Sequence, residues 1–372
     1  MSIPRFELER YFAKHEFTAE YLLAPSDCEP VPMAELLERA DEEARGLWQS
    51  LRLGYTESPG HAHLRAAIAG AYKTIDPAQV LVAAPEECIF LTMTSLLRAG
   101  DHVVSTFPGY QSLYEIARAI GSEVSLWTPV EEDGWRFRIE ELERLLRATT
   151  RLVVVNFPHN PTGALPTPTE FEAIVDLVRG AEATLLSDEM YRGLEFDAAR
   201  KLPAACDLYE RALSLSGLSK AYGLAGLRIG WLAGRDATAL GRIAEAKDYT
   251  TICSSAPSEI LALIALRNQE TLVEGQRTRI ERNLVHLDGF FRTHNSRIHW
   301  HRPEAGSVGF PRIACTDDTD RFCADLVEEA GILLLPSSVF SYGTEHVRIG
   351  FGREDLPEVL ARFGAWLDGR YG

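Results

Sequence analysis

Paired cysteines are missing from this 372-residue chain: Cys28, Cys88, Cys206, Cys253, Cys315 and Cys323 lie far apart, with no C-x-x-C among them. That spacing argues against a zinc knuckle or a dense disulfide framework, so reduced structural thiols and no metal site are expected. Positive charge is scarce as well. Lys and Arg number 38 against 54 Asp and Glu, a net charge of −16, which argues against a nucleic-acid partner, because such binders need a basic surface to displace counterions. The N-terminal stretch MSIPRFELERYFAKHEF is charged throughout. It lacks an apolar run that could serve as a signal sequence or membrane span, so a cytoplasmic protein without membrane contact is expected. The sequence also has no internal repeat and no low-complexity tract.

What is present is the composition of an ordinary globular protein, 46% hydrophobic and 25% charged with 28 Gly and 19 Pro spread along the length. A chain of this size accommodates a large domain and a smaller companion with a cleft between them. From about residue 60 to 235, short apolar runs alternate with amphipathic stretches, the pattern of repeated βα units on a mostly parallel sheet. Predicted strands are Val80–Ala83, His102–Thr106, Glu123–Trp127, Leu152–Phe157, Ala183–Ser187, Ala212–Leu215 and Arg228–Ala233. Apolar residues at helical spacing fall in His61–Lys73, Tyr110–Ile120, Ile139–Arg147 and Thr169–Val178. Helices are thus expected on both faces. After Trp231 come long helical segments, Ala237–Tyr249 and a Pro257–Arg292 stretch expected to break along its length, and then a smaller α+β region. The expected division is an N-terminal arm over 1–35 joining the small domain, a large domain over 36–256 and a small domain over 257–372.

In open α/β sheets, the loops at the carboxyl ends of the strands build the ligand site. Five such loops carry motifs: APEE, FPGY, NFPHNPTG, SDEMY and SGLSK. In the last, Lys220 leaves an apolar strand through a turn of small residues, where partial burial favours the neutral amine that attacks an aldehyde. Gly223, Gly226 and Gly230 keep the neighbouring backbone slim, and Arg228 offers a permanently charged fork suited to phosphate. Asp188 ends another apolar strand, where a carboxylate is costly unless a cation or several donors meet it; taken alone, it would more often cap the next helix. Asn156–Gly163 reads by itself as a turn.

The string from Ser214 to Trp231 closely resembles the cofactor-lysine signature of the class I/II aminotransferases, fold-type-I enzymes dependent on pyridoxal 5′-phosphate (PLP). The Asn-Pro-Thr-Gly and Asp-Glu-Met-Tyr motifs match in the expected order. The resemblance implies an α/β fold with a mostly parallel sheet sandwiched by helices plus a smaller α+β domain. It implies that Lys220 holds PLP as a Schiff base and acts as the proton-transfer base. Asp188 would meet the pyridine nitrogen, Tyr191 and Asn160 the phenolic oxygen, and Tyr110 would stack on the ring. Arg228, Ser219 and the N–H of Glu86 would hold the phosphate. Arg348, in Val347-Arg-Ile-Gly-Phe-Gly352, would grip the substrate carboxylate, with Asn160 nearby. Tyr55 would reach the phosphate of a neighbouring subunit, which requires a two-fold homodimer. An X-Pro bond in the Asn156–Gly163 loop is expected to be cis.

Two features depart from the family pattern. The small Gly-Ser/Thr-rich turn after the first strand is Ala83-Ala-Pro-Glu-Glu87, where Pro85 lacks an N–H, and the hydroxyl residue often found three places before the lysine is Gly217. The stretches Asn156–Gly163, Ser219–Trp231 and Lys247–Thr251 further resemble capreomycidine-synthase-type enzymes. That resemblance implies a second reaction on the same machinery: a hydroxylated arginine loses its hydroxyl and its guanidine closes a ring, with no amino group exchanged. Glu9 and Asp27 could then meet the guanidinium, against the plainer reading of two solvated surface acids. Transamination of an L-amino acid with a 2-keto acid remains the leading expectation.

Overall fold

The computed structural model describes residues 2–372. Seven strands make the central sheet: β1 (Val80–Ala83), β2 (His102–Thr106), β3 (Glu123–Trp127), β4 (Thr150–Asn156), β5 (Thr184–Asp188), β6 (Ala212–Gly217) and β7 (Gly230–Gly234), in the spatial order β1-β7-β6-β5-β4-β2-β3. Only β7 runs antiparallel to its neighbours. The continuous apolar runs predict strands buried on both faces, and β4 shows it: Leu152 and Val154 enter one core, Val153 and Val155 the other. Each such side chain, taken fully from water, contributes roughly 1.5–3 kcal/mol.

The predicted strands match the observed ones to within two residues at each end. Arg228 lies outside β7, in a left-handed turn with φ 54°, and pairing begins at Gly230. The long helical stretch does break, into Ala256–Arg267 and Gln269–Thr293, at Asn268, whose Nδ2 donates to the carbonyls of Ile264 and Arg39. The first of these helices buries Ile260, Leu263 and Ile264 with Leu36, Leu64 and Ile229 beside the sheet. The second buries Ile280, Leu284 and Leu287 with the C-terminal strands and helices. The first helix, and the second as far as Leu272, thus pack beside the sheet, and the rest of the second packs with the C-terminal elements.

Helix α1 (Glu7–His15) buries Leu8 and Phe12 against the cleft side of the sheet core. The chain then pairs Tyr21–Leu22 in parallel with Ile332–Leu333 and runs along β8 (Val347–Gly350). Helix α2 (Pro85–Leu96) follows β1 directly. Among the described residues no helix is long and apolar enough to cross a membrane.

Candidate active site

The carboxyl ends of β4, β5 and β6 open into a cleft of about 370 Å³, roofed by α1 and the segment Pro25–Asp27. Nearly every residue singled out in the sequence lines it: Lys220, Asp188, Tyr191, Asn160, Tyr110, Ser219, Glu86, Arg228 and Arg348.

Strand register assembles the floor. β4 and β5 pair Asn156 with Asp188, and the Asn156 side chain then ties the two loops together. Its Nδ2 donates to the Asp188 carbonyl at 3.2 Å, and its Oδ1 accepts from the Asn160 N–H at 2.8 Å. Asn156 was not among the predicted site residues, although it sits in the motif; its place at a strand's last position, beside another strand's last position, was the available signal. The loop it anchors carries cis Phe157–Pro158 and Asn160–Pro161 bonds.

Asp188 is buried, and among the described residues its carboxylate accepts only from the Met190 N–H, at 3.1 Å. Burial pushes its pKa up to about 7, although that hydrogen bond and Lys220 pull the other way. A buried carboxylate so poorly satisfied calls for a cation. The Tyr191 hydroxyl is likewise buried and makes no hydrogen bond of good geometry among the described residues; burial raises its pKa, with Arg348 and the nearby Ser26 hydroxyl pulling the other way. The Lys220 Nζ donates to the Ser26 Oγ at 2.8 Å. Burial lowers the lysine's pKa, with Asp27 opposing and Arg348 reinforcing, so the neutral amine is favoured more than on a surface.

Arg348 is buried at the far wall. Its Nε and Nη2 donate to the Ala24 carbonyl at 3.1 and 2.9 Å, and its Nη1 to the Asn160 Oδ1 at 3.3 Å. Phe12 and Phe340 each place a ring 5.7 Å from the guanidinium carbon. Three of the five N–H groups of a guanidinium are thereby engaged, leaving one on each terminal nitrogen.

The two departures from the family pattern turn out to be one packing arrangement. The Pro85 ring lies against β6 and β7: a Cβ on Gly217 would stand 3.1 Å from Pro85 Cγ, and one on Gly230 only 2.8 Å from it. The Glu86 carboxylate turns aside to accept from the Ser112 Oγ at 3.1 Å, and burial raises its pKa to about 7. The first turn of α2, which has no side-chain cap, thus keeps its N–H groups available beside Ser219 and Arg228. Gly223, at φ 66°, is needed where it stands, since a Cβ there would meet the Glu29 carbonyl at 2.3 Å. Gly226 is a correction: it has open space around it, and slimness is not its role.

Tyr55 is absent from this cleft. It is 90% exposed, near Leu53 and within the surface formed where the 56–58 loop meets 247–254 through Thr56–Ser254, Ser58–Asp248 and Lys247–Ser58 hydrogen bonds. Tyr110 lines the cleft wall, its hydroxyl donating to Glu9 Oε1 at 2.6 Å and its ring tilted on Phe6 at 4.9 Å. Glu9 and Asp27 are not solvated surface acids: both face the cleft, Asp27 paired to Arg353 at 3.0 Å. A third carboxylate, Glu16, joins them, its pKa raised by burial and by Asp27 and Glu9. The sequence reading missed it, although Glu9, Phe12 and Glu16 share one helical face by spacing.

The family described as aminotransferase class I and II matches residues 31–363. Capreomycidine synthase of Streptomyces vinaceus is 31% identical over 97% of this chain and 93% of its own. The crystal structure of a PLP-dependent aminotransferase from Streptococcus suis superposes with a TM-score of 0.93 at 31% identity, covering 99% of both chains. That of a PLP-dependent cyclase does so with a TM-score of 0.88 at 27% identity, covering 100% of this chain and 98% of the other.

Proposed function

The chain belongs to the class I and II aminotransferases, and on that premise we propose that it is a PLP-dependent aminotransferase whose substrate is an L-amino acid with a cationic side chain. The observation that carries this reading is the gathering, in one cleft, of Lys220, an undersatisfied buried Asp188, an unpartnered Tyr191 hydroxyl and Arg348.

These residues fit PLP group by group. Asp188 supplies the counter-charge for a protonated ring nitrogen, and Tyr191 and Asn160 supply donors for the phenolic oxygen. The open N-terminus of α2, with Ser219 and Arg228, supplies the phosphate cup. Tyr110 offers an aromatic face for the ring. When bound, PLP supplies an aldehyde that joins the substrate's amino group and a cationic ring that accepts the electrons left at Cα. The protein's own groups do the rest. Arg348 takes the α-carboxylate on its two remaining N–H groups, which orients the Cα–H bond. Lys220, its amine shifted by burial toward the neutral form, takes that proton from Cα and would return it across the nitrogen, two atoms away, so that the amino group stays behind. Phe12 and Leu8 keep bulk water from the carboxylate end. Glu9, Glu16 and Asp27 face the substrate's side chain and favour a positive one.

A second reading has its own support in the same acidic wall and in the near full-length likeness to a capreomycidine synthase: loss of a side-chain hydroxyl and ring closure by a guanidine, with Lys220 still taking the α-proton. In either case a homodimer completes the site. The exposed Leu53, Tyr55, Tyr249 and Ile252, at 85%, 90%, 93% and 49% exposure, support such an interface, with Tyr55 reaching the partner's phosphate cup.

The test is α-proton exchange in deuterated water, followed by NMR on PLP-loaded enzyme, with 2-keto acid assayed in parallel. Arginine, ornithine and lysine should exchange and, with pyruvate present, yield keto acids; alanine and aspartate should lag by about ten-fold. Lys220→Ala should lose exchange by about 10⁴-fold or more. Consumption of hydroxyarginine with a cyclic product and no keto acid would select the second reading, and no exchange with any amino acid would end both.

A further inference from the structure

We propose that Ser26 is a positioning residue for Lys220: its hydroxyl holds the free amine in place for proton transfer, and it does so from a segment seated on the opposite side of the cleft. The proposal rests on the reading of Lys220 as the proton-transfer base.

A lysine amine sits on a flexible four-carbon stem, and the contact with Ser26 Oγ, at 2.8 Å, is the single hydrogen bond of the Lys220 side chain among the described residues. Ser26 in turn is held from several directions. Ser307 Oγ donates to its carbonyl at 2.7 Å. Upstream, the Gly350 N–H donates to the Leu23 carbonyl at 2.7 Å, and Arg348 clasps the Ala24 carbonyl. Downstream, Arg353 pairs with Asp27, and the Glu29 N–H donates to the Gly352 carbonyl at 3.0 Å. The fit against β8 is close: a Cβ on Gly350 would lie 1.9 Å from the Pro25 oxygen, and one on Gly352 2.7 Å from the Asp27 oxygen. Ser26 is thus placed by the C-terminal strand, and Lys220 by the turn after β6. Their hydrogen bond spans the cleft and forms only when arm and strand are seated over it. As an acceptor of an N–H, the Ser26 oxygen favours the ammonium form of Lys220, against the burial that favours the neutral amine. The serine therefore sets where the amine points, and adds to the burial and Arg348 that lower, and the Asp27, Glu9 and Asp188 that raise, the pH at which it becomes a base.

The test uses uptake of PLP by the cofactor-free protein, read as growth of visible absorbance over about pH 6 to 10. Ser26→Ala should move the midpoint of the pH–rate profile downward by about half a unit and lower the plateau about ten-fold. Ser26→Thr, which keeps the hydroxyl, should restore both. Ser307→Ala, which frees the Ser26 carbonyl, should shift them in the same direction by less. Melting curves should show the variants folded; if alanine unseats the arm, Ser26→Cys, similar in size with a weak acceptor, takes its place and should behave as described for alanine. A Ser26→Ala profile that superimposes on the unmodified protein overturns the proposal, as does a Ser26→Thr variant no better than alanine. Lys220→Ala separates the two readings: if it takes up PLP with the same absorbance, the assignment of Lys220 fails, whatever Ser26 does.

Discussion

The floor of the cleft hangs on strand ends, while its roof is threaded from opposite ends of the chain. Asn156 and Asp188 are paired by the register of β4 and β5, and Lys220 follows β6, so three short segments within one sheet bring these groups together. Glu9, Phe12, Glu16, Ser26 and Asp27 come from the first 30 residues, held by Arg348, Arg353 and the glycines of residues 347–352. On the proposed function, the floor would carry out proton transfer on any amino acid that reaches it. The roof would then decide which side chain is accepted. A floor substitution should therefore affect all substrates alike, and a roof substitution should affect them unequally.

The largest expected effect is at the floor. Asp188→Asn should weaken PLP retention by about 100-fold or more, since the ring nitrogen loses its counter-charge. The cofactor-free protein should respond in the opposite sense. Burial holds the Asp188 carboxyl near pH 7 in the fold, against an ordinary value of 3.8. The folded state therefore binds the extra proton between about pH 4 and 7, and on this group's account stability falls as pH rises through that window. The asparagine variant should lose this slope and, at pH 8, gain on the order of 4 kcal/mol. Urea titrations at pH 5 and 8 measure it, and a variant less stable than the parent at pH 8 would contradict the undersatisfied state of the carboxylate.

Glu16→Gln addresses the roof. The KM for arginine should rise about five-fold with kcat unchanged, while alanine turnover stays where it was. Equal effects on both amino acids would erase the distinction between floor and roof. The smallest expected effect is that of Tyr55→Phe, which should weaken PLP binding about three-fold while leaving sedimentation as a dimer intact. A monomeric parent protein, or a tyrosine whose loss changes nothing, would remove the partner subunit from the phosphate cup.

Much of the floor is legible in the sequence. The apolar runs ending in Asp188, Asn156 and the Ser219-Lys220 turn carry their own punctuation, and in a mostly parallel sheet the carboxyl ends of adjacent strands converge. The β7 boundary was misplaced because nothing in Arg228-Ile-Gly-Trp announces that the arginine adopts a left-handed turn. Pro85 and Gly217 looked like two unrelated exceptions, since the contact between them joins residues more than a hundred positions apart. Asp27 and Glu9 could be named, but whether they were solvated or faced the cleft could not be read from local pattern, because helix α1 has acids on more than one side.

By itself, then, the sequence determined the alternating βα architecture and the identity of the groups at the strand ends, Lys220 among them, all of which depend on residues close together in the chain. Tertiary structure alone decided that Ser26 meets Lys220, that Glu16 joins the acidic wall and that Arg348 is held by the Ala24 carbonyl. The hydrogen bonds among these contacts join residues 194 and 324 positions apart. No local periodicity encodes such pairings; they follow from how the arm packs on β8 and how both close over the sheet.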